Sequence, residues 1–391
     1  MTSKAEIFFD QLQGLREALK DSLVERDAEI DGVLLAALSR THVLLLGPPG
    51  TAKSLLVRLF TKGIGVSDQD FFARLITPFT MPEDMFGPID IPALEKGVYE
   101  RKTEGYLPTA TVALADEVFK GSDSINNSLL TAMQERVFDN GTKRDPMPLE
   151  VLVGCSNEYP QSEQLNAMYD RFLLRYWTSY IKSDDNFKGM LMSLDCGEPD
   201  IDDSVCLTSN AFAFLQNHTT EVIVPESILD ALVSIRTRLS VEHGIVLSDR
   251  RWGACLKILR ANATLNGGCD EVEARHMMVL ADSMWERAEQ RPAIYTVVAE
   301  HAAPHLVKAA RLLDGVTEQF GNVILADETQ DSLNALLKKV NMAASELKVL
   351  SACTTELEIQ LALEKVKGMH KQVSREFARR MQGTGVQASA L

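Results

Sequence analysis

Between His42 and about residue 182, short apolar runs alternate with segments in which apolar residues return every three or four positions. "HVLLL", "FFARLI", "TVALA", "LEVLVG" and "LLRYWTSY" read as strands, and the stretch from Lys53 and "SINNSLLTAMQER" read as helices. Parallel strands need a crossover between them, so this alternation predicts an α/β domain with a mainly parallel sheet. Ahead of it, Ile7, Phe8, Leu12, Leu15, Leu19 and Leu23, followed by "IDGVLLAALS", predict two helices within residues 4–38.

No strand pattern recurs after about residue 182. An acidic connector, "GEPDIDDSV", leads to the helical segments "AFAFLQN", "PESILDALVSIRTRLS", "DRRWGACLKILRANATL" and "VEARHMMVLADSMW". A further helical tract begins at "RPAIYTVV", and from Asp327 to Met381 the apolar spacing suits two long helices folded as a hairpin. Within it, "LEIQLALEKVKGMHKQV" reads as a packed seam and not a membrane-active helix, because its polar face mixes both charge signs. The last residues, "QGTGVQASAL", read as disordered. The pattern thus divides the chain into an α/β core over 1–195, an all-helical second domain over 196–292 and a helical extension over 293–391.

Composition narrows the class of protein. With 391 residues, 45% hydrophobic and 24% charged, the chain has the make-up of a water-soluble globular protein. No apolar run approaches the roughly 20 residues of a membrane span, and the N-terminus lacks a signal-peptide pattern, so a cytoplasmic location is expected. A net charge of −15 and a pI near 5.0 argue against broad adhesion to nucleic acid and favour protein partners. Six cysteines without a CxxC pair read as free thiols. His301 and His305 lack the further ligand a metal site would need.

The chemistry concentrates in five short motifs. "GPPGTAKS" ends the first apolar strand and opens a helix. Gly47 and Gly50 let the backbone turn its N–H groups inward around a phosphate, in a loop running through Pro48, Pro49, Thr51 and Ala52 to Lys53, Ser54 and Leu55. Lys53 supplies positive charge, Ser54 can hold Mg²⁺, and the helix adds its positive N-terminal dipole. Ala52 stands where the common pattern has a second glycine; the added methyl group is tolerable at a negative φ. In "TVALADEVFK", Asp116 and Glu117 end a buried strand 63 residues after Lys53, so that Asp116 would complete a magnesium shell and Glu117 would polarise an attacking water.

Asn157 closes "LEVLVGCSN", where an amide can orient water near a γ-phosphate or cap the next helix. Arg171 and Arg175, in "YDRFLLR", could each reach a neighbouring subunit's phosphate or pair with acidic residues. Arg250 and Arg251, in "VLSDRRW", start a helix, where a cation opposes the helix dipole unless an anion lies near.

Together these motifs resemble the MoxR-type AAA+ ATPases, and more closely their RavA branch, in which alanine before the loop lysine is usual. The resemblance covers residues 5 to 290. It implies a P-loop AAA+ core, an all-helical lid and a helical C-terminal extension. It further implies that Lys53 and Ser54 bind phosphate and magnesium, that Asp116 and Glu117 serve metal and water, and that Asn157 senses the γ-phosphate. Arg171 would act in trans and Arg250 in cis. The long connection Thr77–Pro108 would be an insertion with a β-hairpin at "GVYERKTEGYLP", and Asn140-Gly141 would turn a second hairpin. The chain carries no segment that reads as the β-rich partner-binding module of RavA-like proteins.

The expectation that follows is a Mg²⁺-dependent ATPase assembled as a ring, most simply a hexamer. ATP would sit between core and lid and against the next subunit, and its hydrolysis would remodel or mature a client protein, by resemblance with a partner bearing a von Willebrand factor A domain. Two alternatives stay open: a rubisco-activase-like remodeler, and an ATP-gated scaffold with little turnover whose C-terminal helices dock a partner.

Overall fold

The computed structural model describes residues 4–325, 330–353 and 357–383. Asp327 and all but the first two residues of "QGTGVQASAL" lie outside them. The chain divides into two compact units, Met1–Ile294 and Tyr295–Leu391.

In the first unit, α1 (Lys4–Ser22) and α2 (Asp27–Leu38) precede β1 (His42–Leu46). α3 (Lys53–Gly63), β2 (Phe71–Leu75), the short helices α4 (Pro82–Phe86) and α5 (Ile91–Leu94), β3 (Val112–Asp116) and α6 (Asp123–Glu135) follow. Then come β4 (Val137–Asn140), β5 (Lys143–Pro146), β6 (Val151–Ser156), α7 (Glu163–Tyr169), β7 (Phe172–Trp177) and α8 (Asp184–Cys196). β2, β3, β6, β1 and β7 pair in that order as a five-stranded sheet, and every pairing is parallel. β1 is buried along its whole length between β6 and β7, as the apolar run from Val43 to Leu46 requires of a central parallel strand.

The one polar residue of β1, His42, is satisfied internally. Its Nδ1 accepts the Leu152 N–H at 3.0 Å, which leaves Nε2–H to donate to the Met133 carbonyl at 2.9 Å. Burial pushes its pKa down to about 4, so the ring stays neutral in its strand at ordinary pH. α2 covers β1 and β7 with a surface buried almost all round, from Ile30 to Leu38.

The two insertions differ from their sequence reading. β4 and β5 form the expected hairpin, with Asn140 opposite Lys143 and Gly141 at a φ of 66° as the first loop residue. "GVYERKTEGYLP" does not fold on itself. Its middle pairs upstream instead: Asp90 N–H donates to the Glu100 carbonyl and Lys102 N–H to the Pro88 carbonyl, each at 2.8 Å, around a single antiparallel bridge between Ile89 and Arg101. The Asn140 side chain binds both backbone groups of Arg101, at 2.7 and 3.2 Å, and Phe86 stacks on Phe138. The backbone groups a local hairpin would use are therefore engaged elsewhere, and the two insertions are stitched into one body.

The rest of the first unit is helical: α9 (Ser209–Glu221), α10 (Glu226–His243) and α11 (Asp249–Leu265). The segment read as a fourth helix is a 3₁₀ run, Ala274–Asp282, with the His276 carbonyl held by the Asn262 side chain at 2.9 Å. α11 packs against α9, this 3₁₀ run and α2. α12 (Arg291–Ala302) spans the boundary between the units.

In the second unit, α13 (Pro304–Leu325), α14 (Gln330–Cys353) and α15 (Leu357–Gly383) share one apolar core that includes Val316, Leu336, Val340, Leu347, Val366 and Val373. The expected pair of long helices is thus part of a three-helix bundle. Among the described residues, no helix is long and apolar enough to cross a membrane.

Gly32 offers a direct check of the packing between α2 and the sheet. A Cβ there would lie 2.1 Å from the Tyr176 ring of β7, within a fully buried contact. Gly32→Ala is expected to destabilise the first unit by about 2 kcal/mol, as overpacked cores do, measured as a lower denaturant midpoint at unchanged slope.

Candidate functional site

The parallel sheet delivers the loop and the acidic strand end to one edge. The loop leaves the C-terminal end of β1, with Gly47 N–H bonded to the Ser156 carbonyl at the end of β6 (3.0 Å), and Thr178, just past β7, donates its N–H to the Leu46 carbonyl (2.7 Å). Gly47 must be glycine here: its φ is 148°, and a Cβ would meet the Thr178 carbonyl oxygen at 2.1 Å. Asn157 follows Ser156 directly and is exposed at this edge.

Ser54, in the first turn of α3, donates its hydroxyl to Asp116 Oδ2 at 3.3 Å. A hydroxyl and a carboxylate converging at the positive end of a helix form an oxygen donor set suited to a hard divalent cation that keeps several waters. Among the described residues no group of three or more acidic, histidine or cysteine side chains is arranged to hold a metal ion. Lys53 donates from Nζ to the Gly47 and Pro48 carbonyls, both at 2.9 Å, so its charge lies inside the loop. Glu117 meets the Lys120 ammonium at 3.2 Å and has a left-handed backbone, φ 53°. Cys155 lies beneath the cluster. Burial pushes its thiol pKa up, and it is within electrostatic reach of Asp116, Lys53 and Glu117.

Ala52 departs from expectation. Its φ is +63° and ψ 21°, the left-handed region, and not the negative φ at which alanine is tolerated without strain. A non-glycine residue there costs about 1–2 kcal/mol, so the loop is strained at the residue that enters α3.

The arginines separate into two groups. Arg171 precedes Phe172, which pairs with His42 at the start of β1, so it sits at the N-terminal edge of the sheet, roughly 13 Å in strand rise from the loop. Its guanidinium donates to the Ala167 carbonyl and to Gln134 at 2.6 and 2.7 Å; partial burial and the neighbouring charge of Arg250 lower its pKa. Arg250, expected to serve the loop of its own chain, is exposed on the first turn of α11 and lies within electrostatic reach of Arg171.

Arg175 and Arg251 are fully buried braces. Arg175 donates to the carbonyls of Phe172, Tyr169 and Trp285 and lies 3.7 Å from the Tyr169 ring centroid. Burial, then the charge of Arg251, pushes its pKa down to about 9. Arg251 binds the Ser283 carbonyl at 2.7 Å and Asp170 at 3.2 Å. Neither is free to reach a phosphate.

Sequence reasoning missed Arg26. Nearly buried at the N-cap of α2, it donates to the loop's Thr51 carbonyl (3.1 Å) and to the Ser179 carbonyl (2.7 Å). The signal in the sequence is an arginine at a helix start, electrostatically unfavourable there as Arg250 and Arg251 are at theirs.

The chain is similar to known proteins over most of its first unit. Residues 10–198 match the family described as the MoxR domain in the MoxR-vWA-beta-propeller ternary systems, and residues 227–298 match an AAA lid domain. Two uncharacterized proteins of Methanocaldococcus jannaschii are 37% and 34% identical, covering 71% and 80% of this chain and 70% and 82% of their own lengths. The chaperone MoxR1 of Mycobacterium tuberculosis is 33% identical over 41% of this chain and 42% of its own. A solved structure from Cytophaga hutchinsonii has the same fold, with a TM-score of 0.62 over 75% of this chain and 95% of the other, at 22% identity.

The strain at Ala52 has a measurable consequence. Ala52→Gly removes a left-handed alanine, and the chain is expected to gain about 1 kcal/mol of stability, read as a thermal midpoint raised by a few degrees.

Proposed function

The chain belongs to the MoxR family of AAA+ ATPases, and from that premise we propose that it is a Mg²⁺-dependent ATPase whose site is completed by a second copy of itself, in a ring, most simply a hexamer. One observation carries this reading. Lys53, Ser54, Asp116, Glu117 and Asn157 share one edge of the sheet, whereas Arg171 and Arg250 lie toward the other edge, too far to serve the same loop.

In this reading Ser54 and Asp116 would hold a magnesium ion, which would supply positive charge against the developing negative charge of the phosphates. Lys53 releases the Gly47 and Pro48 carbonyls to meet phosphate oxygens. Glu117 accepts a proton from the attacking water, with its carboxylate oriented by Lys120, and Asn157 orients that water. Arg171, with Arg250 beside it, faces the site of the adjoining subunit, so that Arg250 acts in trans and not in cis.

We assign the chain to the RavA-like side of the family on "GPPGTAKS" and "LSDRRW". Its use of ATP would be the remodelling or maturation of a client protein. The family match supports a partner with a von Willebrand factor A domain, and its acidity supports a protein client over nucleic acid. A cytoplasmic location suits that role.

Steady-state turnover tests the mechanism. Glu117→Gln is expected to lose at least about 10²-fold in ATP hydrolysis while still binding ATP, and Arg171→Ala to lose on the order of 10³-fold. Full activity in both variants would sink the ATPase reading. Mixing Lys53→Ala chains with Arg171→Ala chains is expected to restore part of the activity, because each supplies what the other lacks; no recovery in a mixture shown to co-assemble would rule out a shared site. The Glu117→Gln chain, loaded with ATP, is expected to retain a von Willebrand factor A partner on affinity capture better than the Lys53→Ala chain.

A further inference from the structure

The strained residue of the loop has a brace that the catalytic reading does not use. Arg26 is 6% exposed and makes no ion pair among the described residues; its guanidinium is bound by carbonyls, those of Thr51, Ser179 and Glu25. Glu25 and Glu29 lie within electrostatic reach but neither binds the guanidinium, and burying a cation whose hydrogen bonds all go to carbonyls is costly. What only arginine can do there is hold two chain segments at once. Its planar fork directs Nε to the loop and one terminal nitrogen to the segment after β7, where a lysine ammonium would reach only one.

The Thr51 carbonyl is the group that sets the next residue. In a planar trans peptide, C=O and N–H point to opposite sides, so a Thr51 carbonyl turned outward to Arg26 turns the Ala52 N–H to the inner side of the loop. The same peptide orientation leaves Ala52 at a φ of +63°. Rotating that peptide would relieve the alanine, but would send a carbonyl oxygen into a cradle meant for anions. Two lesser contacts steady the outer rim: Thr51 Oγ1 donates to the Pro48 carbonyl at 3.0 Å, and Tyr180 to the Pro49 carbonyl at 3.4 Å. Neither touches the Thr51–Ala52 peptide.

We propose that Arg26 is a positioning residue for nucleotide binding: it holds the Thr51 carbonyl outward and thereby keeps Ala52 left-handed with its N–H available to a phosphate. The proposal rests on the reading of the loop as a nucleotide site. It also gives the alanine a function. With alanine at position 52 the loop's shape depends on Arg26, and with glycine, which adopts a positive φ without strain, it would depend on it much less.

That dependence is the test. ADP affinity, with Mg²⁺, is measured calorimetrically on the full chain for wild type, Arg26→Met, Ala52→Gly and the double variant, with Lys53→Ala as control. Arg26→Met is expected to weaken ADP binding about tenfold or more in the wild-type loop and about threefold or less in the Ala52→Gly background, a rescue that follows from removing the left-handed strain. A loss of equal size in both backgrounds, as general damage to the fold or a lost positive charge would give, overturns the proposal, as does the absence of any loss. Arg26→Lys keeps the charge and is carried through the same cycle, so a failure of Arg26→Met to fold does not end the test. If wild type and Lys53→Ala alike fail to bind ADP, it is the nucleotide-site reading that falls, and the inference with it.

Discussion

A parallel sheet sends the C-terminal end of every strand to the same edge, and the central place of β1 in that sheet is the constraint on which the site depends. β1 pairs with β6 through Leu46 and Ser156 and with β7 through Leu46 and Trp177, so the loop that follows is rooted between two strand ends. The Gly47 N–H is taken by β6, and the carbonyl before it by the residue after β7. From so fixed a root, α3 starts where Ser54 meets Asp116, the last residue of β3. No long-range side-chain network is needed to gather the oxygens; the strand register does it.

The same register keeps Arg171 away. A residue preceding β7 lies at the opposite edge from one following β1, and no rotamer of arginine crosses the intervening length. The helical domain is anchored near that opposite edge as well, through Arg251 to Asp170, Arg175 to Trp285 and Tyr169 to Glu286. The buried guanidiniums therefore hold the helical domain to the start of β7, while Arg171 beside them is half-buried and Arg250 exposed. Two adjacent arginines on one helix, Arg250 and Arg251, have opposite fates because a helix turns neighbouring residues by about 100°.

Much of this was legible in the sequence. The three central strands, β1, β3 and β6, are apolar along nearly their whole length, a pattern that survives because both faces of a central parallel strand are covered, whereas the edge strands β2 and β7 carry Arg74 and Arg175. The loop and the acidic pair are legible for the same reason, since each is tied to a strand end. What escaped depends on contacts far apart in the chain. The backbone of residues 100–102 pairs with residues 88–90 and with Asn140, so a local hairpin signal was outcompeted. Arg175 reads like a surface cation until Trp285 and Tyr169 are placed around it. The positive φ of Ala52 is foreshadowed only by the glycine that the common loop pattern has there, and the contact that holds it, from Arg26, comes from another helix.

The central claim is that one chain carries half of its catalytic site at each edge of its sheet. The direct measurement is ATP turnover per chain as a function of protein concentration, with mass determined in parallel. The account predicts that turnover per chain is low in dilute monomer and rises in step with assembly. Turnover per chain that stays constant down to concentrations at which only monomer is present would contradict it.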